Sequence, residues 1–247
     1  MKMKTQIKIE NLTKTFRTVN GKLTALNDVS LEIFEGECVV FGGENGSGKS
    51  VLMSIIAGLE TCDSGTVTVN SGTKPSAGLV FLEAETQILG ETPAEDIAFG
   101  PKNQGLKKEQ IEHAVKKALE ETGLTQKADF PARFLSGGEK RRLAVACMLA
   151  MNLPIIILDE PFANLDYNGV KQVNVLIRKL KSDGKTVIIL THEIEKCLGL
   201  ADRFIVLFKG TKVFDGKPDE GLKQNLEQWN IRNPLVAYKK AQDLIWE

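Results

Sequence analysis

The sequence carries no surplus of either charge: 32 Lys+Arg stand against 32 Asp+Glu, for a formal net charge of zero. Non-specific binding to nucleic acid or acidic lipid draws on an excess of basic charge, because it gains from the counterions released. The balance therefore argues against that class of function, although a local basic face would still be compatible with it. Histidine is scarce, with only His113 and His192, and the four cysteines (Cys38, Cys62, Cys147 and Cys197) lie far apart without metal-ligand spacing. A zinc site is not expected, and reduced thiols fit better than two disulfides. No stretch reaches the roughly 18–20 apolar residues that a membrane-crossing helix needs. The opening MKMKTQIKIENL is charged and alternating, with no apolar leader run. The expectation is a cytosolic chain that meets a membrane only through a partner. Internal repeats and low-complexity segments are also lacking.

What is present suits one large α/β domain or two small ones: 247 residues, 42% hydrophobic and 26% charged. Gln6–Asn11 alternates with Ile7 and Ile9 on one side, and Val67 and Val69 repeat the pattern, predicting an antiparallel layer in the first third. Cys38–Phe41 is a short apolar run leading into glycines, and Ser50–Leu59 then has helical spacing. Ile111, Val115 and Leu119 recur every fourth residue in a helix predicted over Leu106–Leu124, with Gly123 as its C-cap. His113 lies off that stripe, on the surface. A second helix is predicted over Gly138–Ala150. The runs Ile155–Leu158, Val187–Leu190 and Phe204–Phe208 read as buried strands of a parallel sheet. From about Asp219 to Glu247 the chain is polar and helix-prone, with apolar punctuation at Leu222, Leu226, Trp229, Leu244 and Trp246.

Gly43-Glu44-Asn45-Gly46-Ser47-Gly48-Lys49-Ser50 fits G-x-x-x-x-G-K-[ST], with Val51 continuing into the helix behind it. Glycines let successive N–H groups curl inward around phosphate oxygens, and the following helix adds its positive end. Lys49 is expected to reach the β- and γ-phosphates, and the Ser50 hydroxyl to ligate Mg²⁺. Strand 155–158 ends in Asp159-Glu160. Asp159 would hold the ion beside Ser50, and Glu160, pointing the other way, would polarise the attacking water as general base.

Leu135-Ser136-Gly137-Gly138-Glu139 opens the next helix, between these two motifs. With all three in this order, nearly the whole chain resembles the ABC ATPases, whose signature reads LSGGQ or LSGGE. That resemblance implies an α/β P-loop fold: a mostly parallel core sheet, an N-terminal antiparallel β layer and a helical subdomain. It implies a core at 1–82 and 151–216, a helical subdomain at 83–150 and a helical tail at 217–247. Phe16 falls where the family stacks an aromatic on adenine. Asn164-Leu165-Asp166 resembles the D-loop that crosses to a partner, and His192 the switch histidine at the γ-phosphate. ATP would sit between the phosphate loop of one subunit and Ser136, Gly137, Gly138 and Glu139 of another. The run Lys140–Arg142 is expected to be a solvated helix face.

Leu82 departs from the pattern, because it occupies the position of the family's Q-loop glutamine. Leucine can neither ligate a metal nor orient water. Compensation by Glu83, a shifted loop, slow hydrolysis or a stronger partner site are the alternatives, and reduced but present turnover is expected. Glu44 is a milder departure. Gln87 and the segment Thr92–Pro101 resemble energy-coupling-factor and cobalt/nickel-type ATPases. These imply a second ATPase, a transmembrane T-component, a substrate-binding membrane subunit, and a place on the cytoplasmic face of the membrane. The competing classes are a soluble ABC ATPase acting on nucleic acid or ribosomes, and a weakly hydrolysing nucleotide sensor. The single cassette and zero net charge argue against the former, and only Leu82 encourages the latter. The tail is expected to contribute to dimerisation.

Overall fold

The computed structural model describes residues 4–19, 21–72 and 75–236. In chain order, β1 (Thr5–Thr18), β2 (Gly21–Phe34), β3 (Cys38–Gly42), α1 (Lys49–Ile56), β4 (Ser64–Val69) and β5 (Gly78–Val80) make the first part. Then come α2 (Pro93–Asn103), α3 (Lys108–Thr122) and α4 (Gly137–Ala150). β6 (Ile155–Asp159), α5 (Tyr167–Ser182), β7 (Thr186–Leu190), β8 (Arg203–Phe208), β9 (Thr211–Gly216) and the single turn α6 (Pro218–Gly221) complete the order.

Two sheets result. The larger runs β5-β6-β7-β3-β8-β9, parallel except for β9, and the smaller runs β2-β1-β4, antiparallel throughout. This is the α/β architecture that the resemblance implies. The apolar runs are continuous because both faces of the central strands are covered. Val40, Ile156, Leu158, Val187 and Ile189 face a cluster completed by α5 and the segment around Leu226. Phe41, Ile155, Ile157, Ile188 and Leu190 face α1 and the antiparallel layer. A third cluster, with Ile97, Leu119, Leu124 and Leu143, joins α2, α3 and α4.

Several elements were not read from the sequence. In β2 the alternation Val29, Leu31, Ile33 is broken at Asn27-Asp28, where Asp28 has φ 53 and the pairing with β1 slips. β9 closes on β8 through Lys209-Gly210, both at positive φ (49 and 77), a two-residue reverse turn. α5 carries a 3.6-residue apolar period (Val173, Leu176, Ile177, Leu180) behind an Asp166 cap. Within the described residues, up to 236, the tail does not form the helix expected there. Between α6 and residue 236 it makes only one 3-10 turn, Leu226–Trp229, ended by Asn230 in the left-handed conformation. Pro218 and Pro234 and that reversal leave no room for a continuous helix. Leu226 and Ile231 are buried in the chain's own core, so this part of the tail is occupied with its own fold; Leu244 and Trp246 lie outside the described residues. The four cysteines are free, and burial pushes the Cys38 thiol up to about 12.

Candidate functional site

β3 delivers the chain into the glycine loop, and α1 leaves it with Lys49 as its first residue. Gly48 sits at φ 100, and a Cβ there would lie 2.4 Å from the Ala25 carbonyl oxygen. Gly43 is as tightly held, because its Cβ would lie 2.2 Å from the carbonyl oxygen of Leu207. Only glycine satisfies both positions. Gly210 donates to the Ser47 carbonyl at 3.1 Å, tying the loop to the β8–β9 turn. Lys49 is folded into the loop: its Nζ donates to the carbonyls of Gly43 (2.7 Å) and Glu44 (2.9 Å) and to Ser47 Oγ (3.4 Å). Burial holds its amine below the usual lysine range, against the opposing pull of Glu160, Asp159 and Glu44.

A cleft of about 330 Å³ opens over this loop. It is lined by Asn45, Gly46, Gly48, Lys49, Ser50 and Val51 from the loop and by Phe16 and Leu23–Ala25 from the antiparallel sheet. Leu82, Asp159 and Glu160 close the other side. Gly43, Glu44 and Ser47 are not in the lining; the first and third pack inside the loop, and the Glu44 side chain turns away to Asn230.

The expectation that Glu160 points away from Asp159 is corrected. Successive residues of a regular strand face opposite sides, but Glu160 has φ 47, in the left-handed region. That reversal brings both carboxylates to the same cleft. Burial pushes the Asp159 carboxyl up, with the neighbouring Ser50 hydroxyl pulling the other way. Glu160 is 8% exposed, and its Oε1 lies 2.8 Å from His192 Nδ1 and accepts the His192 backbone N–H at 3.1 Å. His192 reaches the cleft through Glu160 rather than lining it.

Ser50 and Asp159 suit a small hard cation: an alcohol and a carboxylate lining one cleft, both oxygen donors. Among the described residues no cluster of three His, Cys, Asp or Glu side chains could cage a metal. An ion held here would thus draw most of its ligands from phosphate and water, the habit of Mg²⁺.

The signature residues lie elsewhere. Ser136 caps α4, its Oγ accepting from Glu139 N at 3.3 Å while the Glu139 carboxylate accepts Ser136 N–H at 2.8 Å. Ser136 and Gly137 are exposed, and neither they nor Gly138 and Glu139 line the cleft. Asp166 caps α5 by accepting from Gly169 N at 2.7 Å. Lys140 and Arg142 are half-buried and Arg141 is buried, contrary to the solvated face expected of the run. Its guanidinium donates to the carbonyls of Leu82 (3.2 Å) and Ala163 (3.1 Å). Reading the run as charge alone missed it; the period of α4 places Arg141 on the face turned to the sheet.

Neither Gln87 nor Glu83 restores what Leu82 lacks. The Gln87 amide donates to the Leu79 carbonyl at 2.8 Å and accepts from Phe81 N at 2.9 Å, so it is spent on the end of β5. Glu83 is exposed and opens onto a neighbouring recess shared with Arg141.

A profile of the ABC transporter family matches residues 26–163. The chain is 39% identical over 251 residues to an energy-coupling factor transporter ATP-binding protein, EcfA2, of Clostridium perfringens, a match covering 94% of this chain and 87% of that protein. It is 38% identical over 225 residues to an EcfA2 of Methanospirillum hungatei, and there the match covers 86% of this chain but only 56% of its relative's length. Among solved structures, CbiO1 of Clostridium perfringens, part of the ABC transporter complex CbiONQ, superposes with a TM-score of 0.79 at 30% identity, covering 94% and 96% of the two chains. An ATP-binding cassette solved as a dimer in a post-hydrolysis state, with ADP and Pi, gives a TM-score of 0.76 at 30% identity, covering 86% and 98%.

Proposed function

The chain belongs to the ABC transporter family, and from that premise we propose that it is the ATP-hydrolysing subunit of an importer of the energy-coupling-factor type. One observation carries the reading: the chain brings its phosphate loop, Phe16, Asp159 and Glu160 to one cleft, while its own signature stands exposed outside it. A site so divided is completed by a second cassette, the same chain or a similar one.

In this reading Phe16 supports the adenine, and the N–H groups of residues 45–50 with the Lys49 ammonium hold the phosphates. Ser50 and Asp159 hold Mg²⁺, which when bound offsets charge on the phosphate oxygens. Glu160 takes the proton of the attacking water, and His192 keeps its carboxylate oriented. Ser136, Gly137, Gly138 and Glu139 of the second subunit close the site at the γ-phosphate, with the helix dipole of α4 behind them. Asp166 belongs to the crossing D-loop. Closure then requires ATP and opening follows its hydrolysis, a two-state element set by the γ-phosphate. The catalytic part is 1–82 with 151–216 and the helical part 83–150, followed by the tail.

A groove of about 580 Å³ beside the Leu82 segment, lined by Glu85, Ile88, Gly90–Thr92, Pro131–Arg133 and Lys140, is the proposed seat of the transmembrane T-component. Leu89 and Phe134 are exposed nearby in sequence (69% and 64%), as a partner surface requires. Among the described residues no helix is long and apolar enough to cross a membrane. The chain would therefore sit at the cytoplasmic face through that partner and the substrate-binding membrane subunit, and nucleic acid has no part in this reading.

Light scattering on the Glu160→Gln variant tests the core of the reading. A dimer with ATP and Mg²⁺ but a monomer with ADP is expected; a monomer under both conditions, with ATP bound, contradicts it.

A further inference from the structure

The phosphate loop carries a carboxylate, Glu44, within a segment shaped to receive an anion. A negative side chain there opposes phosphate binding unless it is turned away and held. Glu44 Oε2 accepts a hydrogen bond from Asn230 Nδ2 at 2.6 Å, across 186 residues of sequence. The backbone carbonyl of the same Glu44 accepts from Lys49 Nζ. One residue thus links the phosphate-binding lysine to the C-terminal segment.

Asn230 is itself well placed to hold a position. It ends the 3-10 turn Leu226–Trp229 at φ 54, and its N–H donates to the Glu227 carbonyl at 2.9 Å. Ile231, the next residue, is 3% exposed and donates its N–H to the Leu226 carbonyl at 3.1 Å. Ile231 also packs beneath the entry to the loop: a Cβ on Gly42 would meet its Cδ1 at 3.4 Å. Leu226 and Ile231 belong to the same buried cluster as Phe204. The segment therefore touches the loop at Gly42 by packing and at Glu44 by a charged hydrogen bond.

We propose that Leu226–Ile231 is a strap that sets the ATP affinity of the phosphate loop, with Asn230 as the positioning residue that keeps the Glu44 carboxylate off the phosphates. The inference rests on the reading of this loop as the ATP site. Only a donor at position 230 can do the work: an amide restrains the carboxylate, whereas a second carboxylate repels it.

Calorimetric titration of the full chain with ATP and Mg²⁺, alongside thermal melts, tests this. Asn230→Asp is expected to raise Kd about tenfold, with KM rising more than kcat falls. Glu44→Gln keeps an acceptor and removes the charge, so it should bind ATP as tightly as the parent or more so. Combining Glu44→Gln with Asn230→Asp should return Kd to within about twofold of Glu44→Gln alone, because the new amide can donate to the new carboxylate. If Asn230→Asp fails to fold, Asn230→Ala serves: it should weaken binding in the parent and change nothing in the Glu44→Gln background. A Kd unmoved by Asn230→Asp, or a loss of equal size in both backgrounds, overturns the strap. A parent chain that does not bind ATP overturns the reading of the loop itself, and is seen before any variant is made.

Discussion

The Glu160 carboxylate and the His192 ring face each other, with Nδ1 2.8 Å from Oε1, and the His192 backbone N–H donates to the same oxygen at 3.1 Å. With a carboxylate as its partner, Nδ1 carries the proton. The side chain proposed to activate water is therefore held by two donors, on a residue just past β6 whose left-handed backbone aims it. Glu160→Gln is expected to lower ATP turnover at least about a hundredfold while ATP still binds. His192→Ala leaves the carboxylate with one donor and should cost about tenfold to a hundredfold in kcat, with a smaller change in KM. Steady-state phosphate release on both variants decides this; a raised KM with kcat unchanged would assign His192 to binding instead.

Leu82 lines the cleft, and the nearby Gln87 amide is engaged by the backbone at the end of β5. Leu82→Gln should raise turnover, by up to about tenfold if one oriented water is the difference, with ATP affinity little changed. An unaltered rate would show that the substitution is irrelevant here. Zero phosphate release from the parent with normal ATP binding would favour the sensor reading.

Gly48 has no room for a side chain, since its Cβ would lie 2.4 Å from backbone oxygen and its φ is 100. Gly48→Ala is expected to destabilise the fold by about 1–3 kcal/mol and to abolish measurable ATP binding. Urea melts and titration of the same sample separate the two effects.

Arg203 grips Asp215 through Nε (2.6 Å) and a second guanidinium nitrogen (2.8 Å), with Lys212 Nζ at 2.9 Å. Burial alone would raise the Asp215 carboxyl, but these bonds outweigh it and hold it below the usual range. A depressed folded pKa adds stability above the unfolded value of about 3.9, and that stability fades as pH falls through the lower folded value. Asp215→Asn should therefore cost about 1–3 kcal/mol at pH 7, and the gap to the parent should narrow towards pH 3. A gap independent of pH would assign the effect to packing.

Much of the core was legible because its signals are local. The β-branched run at Ile155–Leu158 and the glycine loop after Cys38–Phe41 each require one conformation whatever surrounds them. Gly123 at φ 69 ends α3 where a glycine C-cap is predicted. What was not legible depends on distant partners. Nothing in the run Lys140–Arg142 says that its middle member leaves solvent to hold the carbonyls of Leu82 and Ala163. Nothing near Asp159 announces that Glu160 takes a left-handed turn and so shares its cleft. Between Asp219 and residue 236 the helix-prone composition lost to Pro234 and to the burial of Leu226 and Ile231, which serve the sheet rather than a helix stripe. The contact of Asn230 with Glu44 joins residues that no local pattern relates.

Purification of the tagged chain from detergent-solubilised native membranes, with mass spectrometry of what accompanies it, shows whether it is an importer ATPase working beside membrane partners. A T-like membrane protein, a second ATPase or a second copy of this chain, and a small multi-spanning subunit that would point to the solute are expected. Recovery of ribosomal or nucleic-acid-bound proteins alone would contradict it.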